Sequence, residues 1–141
     1  MEQNTLSSQR WLGALGFAMV VLLVVQYVLG MYTNLFVQIP AGVNGWQWLD
    51  NSVVLVGHVV VGGLLTVAAV AILLLAWRAR ARAWIAISAV GLVAIGAALV
   101  AGSSFIESQS AASSFIMASG FGAALLAYVS GIYASRLAPG S

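Results

Sequence analysis

His58 is the one histidine in a chain of 141 residues, and it lies inside the apolar run Ser52–Trp77, which holds no Asp, Glu, Lys or Arg. An ionisable side chain within such a run is costly to place in hydrocarbon and by default points to function. Gly62 and Thr66 follow it at i+4 and i+8, on the same helical face, and Gly57 and Gly63 flank that face. Imidazole there has two chemical uses, as an axial ligand to haem iron or as a proton relay. Small neighbours suit a ligand, because a large side chain one turn away would collide with a porphyrin ring. They equally suit close helix packing, with the imidazole donating to a carbonyl next door. Gln26 is the second polar residue of interest, set in the first apolar run at about the depth of His58. Its amide can bond the free imidazole nitrogen, a propionate or a serine, or act only as interhelical glue.

The elements that position these residues follow from composition. Hydrophobic residues make up 62% of the chain and charged residues 6%, against about a quarter charged in ordinary soluble domains. Five basic and three acidic side chains cannot clothe a water-facing surface. Four runs are long enough to cross about 30 Å of hydrocarbon as helices: Trp11–Thr33, Ser52–Trp77, Ala83–Gly102 and Ala111–Ser135. None contains proline, and the short alternating segments of a membrane barrel are missing. The expected fold is therefore all-α, a polytopic four-transmembrane-helix bundle forming one membrane domain over 1–141, with an outer loop at 34–51.

Orientation is read from arginine. Arg10 precedes the first run, Arg78, Arg80 and Arg82 fill the turn between the second and third, and Arg136 closes the fourth. All the positive charge falls on one face, which the positive-inside rule makes cytoplasmic, together with both termini. Asp50 and Glu107 fall on the other face. Trp11, Trp77 and Trp84 are expected at the inner interface, and Trp46 and Trp48 at the outer one. The first run is too long for a signal-peptide core and is expected to be a retained helix in a prokaryotic plasma membrane.

Other function classes are set aside by what the sequence lacks. There is no cysteine for a disulfide or thiolate site. No phosphate loop, nucleophile elbow or zinc helix occurs. The basic pI reflects arginines set against an anionic leaflet, not nucleic-acid binding. A transporter or a proton or quinone path would call for broken spans or further acids within them, and the spans hold none. The polar residues gather in the outer half. The outer loop, broken by Pro40, Gly42 and Gly45, is expected to lie on the membrane surface, and Ser103–Ser110 to form a second outer loop.

The run QYVLGMYTNLF from Gln26, the long outer loop, and GHVVVGGLL from Gly57 together resemble one half of haem A synthase, a family of paired four-helix modules. The resemblance covers the first two helices and their loop, and the hairpin behind them more loosely. It implies haem b in a cytochrome b-like pocket, with His58 as metal ligand and Gln26, Gly62 and Thr66 as cofactor-binding neighbours. It implies a role in electron transfer or haem handling. The sequence departs from the family where a glutamate would precede the histidine by three (Leu55), where an arginine would follow it (Val59), and in having no second histidine. No catalytic residue carries over. A second axial ligand would come from His58 of another copy, from Met31, or from Met117. Small-residue stripes, Ser119/Ala123/Ala127/Gly131/Ser135 and Ala86/Ala94/Ala98/Gly102, hold the bundle together or join a homodimer or larger membrane complex. The alternative function is a non-catalytic subunit or assembly factor docking through those faces and the outer loop.

Overall fold

The structure, a computed structural model, describes residues 2–40 and 42–137, with side chains over 10–40 and 42–136. Among them run α1 (Glu2–Phe36), α2 (Val53–Arg78), α3 (Arg82–Ser108) and α4 (Ala111–Leu137), with a 3-10 turn at Leu49–Asn51 ahead of α2. Each helix has a segment long and apolar enough to cross a membrane. Even the shorter of these, 26 residues, rises about 39 Å, more than the hydrocarbon requires. α1 packs on α2 and α4, and α3 packs on the same two, so the helices form a four-sided bundle. Very short links, 79–81 and 109–110, force α2/α3 and α3/α4 to run antiparallel.

Helix ends differ from the expected spans, for local reasons. α3 continues to Ser108, through serines expected in a loop. Ser103 and Ser108 donate their hydroxyls to the carbonyls of Leu99 and Ser104, one turn back, and so compete less for the backbone. Gln109 then ends the helix in the left-handed region at φ 51°, its amide donating to Phe105 O at 2.7 Å. α1 reaches Phe36, three residues beyond Thr33, whose hydroxyl bonds Leu29 O. At the other end of the loop Ser52 caps α2, accepting from the Leu55 amide.

Small residues share the centre with large ones, and much of the apolar bulk faces outward. Ala69, Ala76, Ala94 and Ala124 are buried in the centre, while Val21, Val67, Leu74, Val93, Val100 and Leu126 point outward. Water would not tolerate so continuous an apolar exterior. Between helices already in an apolar solvent, association rests on close backbone approach. α3 and α4 achieve it at Gly120, where a Cβ would stand 2.7 Å from Ala94 O, and at Gly91, where it would stand 2.6 Å from the Tyr128 ring.

Trp84 departs from its expected place at the interface. It is 3% exposed and wedged between α1 and α4. A Cβ at Gly16 would meet its ring at 2.5 Å, and one at Gly131 at 3.0 Å. Its indole N–H donates to Ser135 Oγ at 3.0 Å. Trp11 and Trp77 are exposed. The stripe residues divide in the same way. Gly131, Ser135, Ala94, Ala98 and Gly102 pack within the bundle, whereas Ala86, Ser119 and Ala123 face outward.

Filling either glycine notch should therefore loosen the half of the bundle at the α2/α3 turn. Gly16→Leu and Gly131→Leu are expected to destabilise by about 1–3 kcal/mol, as overpacking does, read as a lower thermal midpoint in detergent. Gly122→Leu, whose Cβ meets nothing within 4 Å, should leave that midpoint nearly unchanged.

Candidate functional site

The half of the bundle at the α2/α3 turn is closed by the Trp84 wedge, and the half beside the 37–52 loop is not. There the four helices surround a half-open cavity of about 190 Å³. α1 contributes Gln26, Gly30 and Met31, and α2 contributes His58 and Gly62. α3 contributes Ala98 and Gly102, and α4 contributes Met117, Ala118 and Phe121, with Trp46 of the outer loop also on the wall. Tyr27 stacks on Phe121 with ring centroids 5.0 Å apart, joining α1 to α4 at the cavity's edge.

His58 and Gln26, which the sequence places at similar depth, meet across the α1/α2 interface. Gln26 Nε2 lies 3.4 Å from His58 Nε2. Glycines make room for the pair. A Cβ at Gly30 would fall 2.9 Å from His58 Cε1, and one at Gly62 would fall 3.1 Å from Gln26 Nε2. Gly62 thus faces the glutamine more closely than the imidazole. Thr66 stands apart, off the cavity wall, its hydroxyl donating to Gly62 O at 3.0 Å. Gly57 and Gly63 face open space. Met31 and Met117 both line the cavity.

His58 Nδ1 and Gln26 Oε1 are buried without a hydrogen-bond partner. Such groups are rare, because each forfeits its hydrogen bonds to water. If the Gln26 amide donates to Nε2, the remaining groups are Nδ1–H, a donor, and Oε1, an acceptor. If the amide is turned so that Oε1 accepts from Nε2–H, the remaining groups are a lone pair on Nδ1 and the NH₂ donors. Either way at least one donor and one acceptor are left unsatisfied; both atoms are covered in this conformation, and a turn of the side chains is needed to present them to the cavity that both residues line. A hydroxyl, or an amide, satisfies both.

The same geometry bears on haem. The donor type fits, since a neutral imidazole is a haem ligand and Gly30 and Gly62 keep its surroundings small. In this conformation, however, Nε2 faces the Gln26 amide. A cavity of about 150 Å³ holds one benzene ring, and drug-sized ligands occupy about 300–1,000 Å³. About 190 Å³ is room for a single ring and not for a tetrapyrrole. Among the described residues no cluster of three or more His, Cys, Asp or Glu could hold a metal ion.

The loop between α1 and α2 packs on the bundle end. Gly45 is buried, and a Cβ there would run into Ile106 O, while Gln109 Nε2–H donates to Ile39 O at 3.3 Å. The loop is thereby held on the end of α3, beside the cavity, and forms only the short 3-10 turn as helix. Its glycine is the one readable signal, because only glycine allows so close an approach.

Comparisons with known protein families, with characterised proteins and with solved structures found no match for this chain.

The glycine contacts predict a graded effect on the imidazole. Gly30→Ala should displace the His58 ring and shift the ¹⁵N resonances of the single imidazole. Gly57→Ala, with nothing near its Cβ, should leave them in place and raise stability by up to about 1 kcal/mol through helix propensity.

Proposed function

We propose that this chain is a four-span integral membrane protein, with both ends cytoplasmic, that binds a lipid-soluble, single-ring ligand in its outer half through His58 and Gln26. The observation that carries the reading is that Gln26 and His58, each holding a buried and unpartnered polar atom, both line one mostly apolar cavity of ring size, so that a turn of the pair would present those atoms to an occupant. A ring hydroxyl would accept from one and donate to the other, and the apolar walls would hold the ring and the start of an attached chain. The role is binding: the residues at hand supply recognition, and no reaction is assigned to them. Orientation rests on the five arginines, all at the ends where α2 meets α3 and where the chain begins and closes.

A second reading keeps haem b with His58 as axial ligand, in an electron-transfer or haem-handling protein resembling half of haem A synthase. It is favoured by the glycine-lined imidazole and by Met31 and Met117 on the same wall, either of which could be the sixth ligand. His58 of a second copy is the other candidate. This reading requires Gln26 to leave Nε2 and the outer ends of the helices to part. A docking role for the outward-facing Ala86, Ser119 and Ala123 is compatible with both.

Absorption spectra and organic extracts of detergent-purified protein separate these readings. The single-ring reading expects no Soret band, and an extracted ring compound bound to wild type but absent from His58→Ala and Gln26→Leu. A Soret band lost in His58→Ala establishes haem instead. Protein that carries neither, after expression with ample haem and in native lipid, overturns both. Orientation has its own check, since the chain has no cysteine. Ala79→Cys should react with an impermeant maleimide only in inside-out vesicles, and Gly42→Cys only in right-side-out cells.

A further inference from the structure

Beside the cavity, toward the outer ends of the helices, lies a second hollow of about 390 Å³. Thr33, Asn34, Leu55, Phe105 and Ile106 line both, so the two adjoin through a common wall. Their chemistry differs. The inner cavity is mostly apolar, with Gln26, His58, Thr33, Asn34, Ser103 and Ser114 as its polar side chains, whereas the outer one adds Gln38 and Gln109 to Thr33 and Asn34. Gln109 keeps its place although its φ of 51° favours glycine or asparagine, and its side chain ties the hollow's rim to Ile39 O.

The outer hollow has hydrogen-bonding groups and no charge. No arginine lines it, the chain has no lysine, and the acids Asp50 and Glu107 lie at the same end of the bundle. Helix dipoles give no net help to an anion, because the C-termini of α1 and α3 stand beside the N-termini of α2 and α4. A phosphate or carboxylate would thus be desolvated without a counter-charge, which is strongly unfavourable. Amides and a hydroxyl, by contrast, match a neutral hydroxyl, amide or sugar.

We infer that the two hollows are one binding site for a two-ended amphiphile, with a hydroxyl-bearing ring at His58–Gln26 and a second polar group, uncharged, among Asn34, Gln38 and Gln109. The inference rests on the single-ring reading of the inner cavity and adds the sign of the ligand's outer end. It excludes anionic lipids as the resident ligand.

Three phenols sharing one ring test it, by calorimetric titration of the full chain in zwitterionic nanodiscs, corrected for partition into empty discs. They are 4-ethylphenol, with no second polar group, 4-(2-hydroxyethyl)phenol, neutral, and 3-(4-hydroxyphenyl)propanoate, anionic. The neutral two-ended probe should bind at least 10-fold more tightly than the anion. Gln38→Leu, on the outer hollow alone, should erase most of its advantage without altering 4-ethylphenol. Gln38→Arg, an exposed position, should reverse the preference toward the anion by about 10-fold. If 4-ethylphenol binds in a His58-dependent way but the anion binds as well as the neutral probe, or the outer substitutions change nothing, the inference is overturned and the inner site stands. If 4-ethylphenol binding does not depend on His58, the single-ring reading fails and the two-ended site fails with it.

Discussion

Everything in this bundle depends on how closely one backbone can approach another where the surrounding solvent is as apolar as the side chains. No water is released when α3 meets α4 in such surroundings, so contact area alone provides little drive and van der Waals fit must supply it. The Trp84 wedge is the centre of that fit. One large ring fills the notches of Gly16 and Gly131 and ties its N–H to Ser135, so three helices meet on a single side chain. Toward the other end no comparable side chain fills the middle. The polar pair Gln26–His58 takes part of the space, and the cavity is what remains.

The site's character follows from that division. Glycines at 30 and 62 let the imidazole and the amide lie against neighbouring helices, and the neighbours offer them no further hydrogen bonds. Ser88 Oγ and Tyr128 Oη, deeper in the bundle, are likewise buried and unpartnered, but they are fully covered and belong to the core. Among the described residues, only Gln26 and His58 combine a buried, unpartnered polar atom with a place on a cavity wall. This combination, more than the histidine alone, separates a binding position from a packing one.

Much of this was legible in the residues. The absence of charge over four long runs dictates four long helices, and the pairing of Gln26 with His58 follows from their matching distance to the outer loop. What escaped the sequence was direction around the helix axis. Trp84 has the composition of an interface marker, and nothing local says that it turns inward; that depends on two glycines 68 residues behind and 47 ahead. Thr66 shares a face with His58 by periodicity yet bonds its own helix, since a threonine hydroxyl in an apolar setting finds the carbonyl one turn back. The serines at the end of α3 look like loop for the same reason: in water they favour a turn, and here Ser103 and Ser108 return their hydrogen bonds to the helix.

The wall of the inner cavity has a direction built into it. Gly30, Gly62 and Gly102 already carry no side chain, and Ala98 and Ala118 carry one methyl each. At the glycines the only change available is addition, so single substitutions there can narrow this space in many ways and widen it in none. For these helix positions the lineage stands at the large end of what its genetic neighbourhood allows. A bulkier guest would have to be met elsewhere on the wall, where Met31, Met117 or Phe121 could give way to a smaller residue, whereas a slimmer one is a single substitution away at any of the glycines.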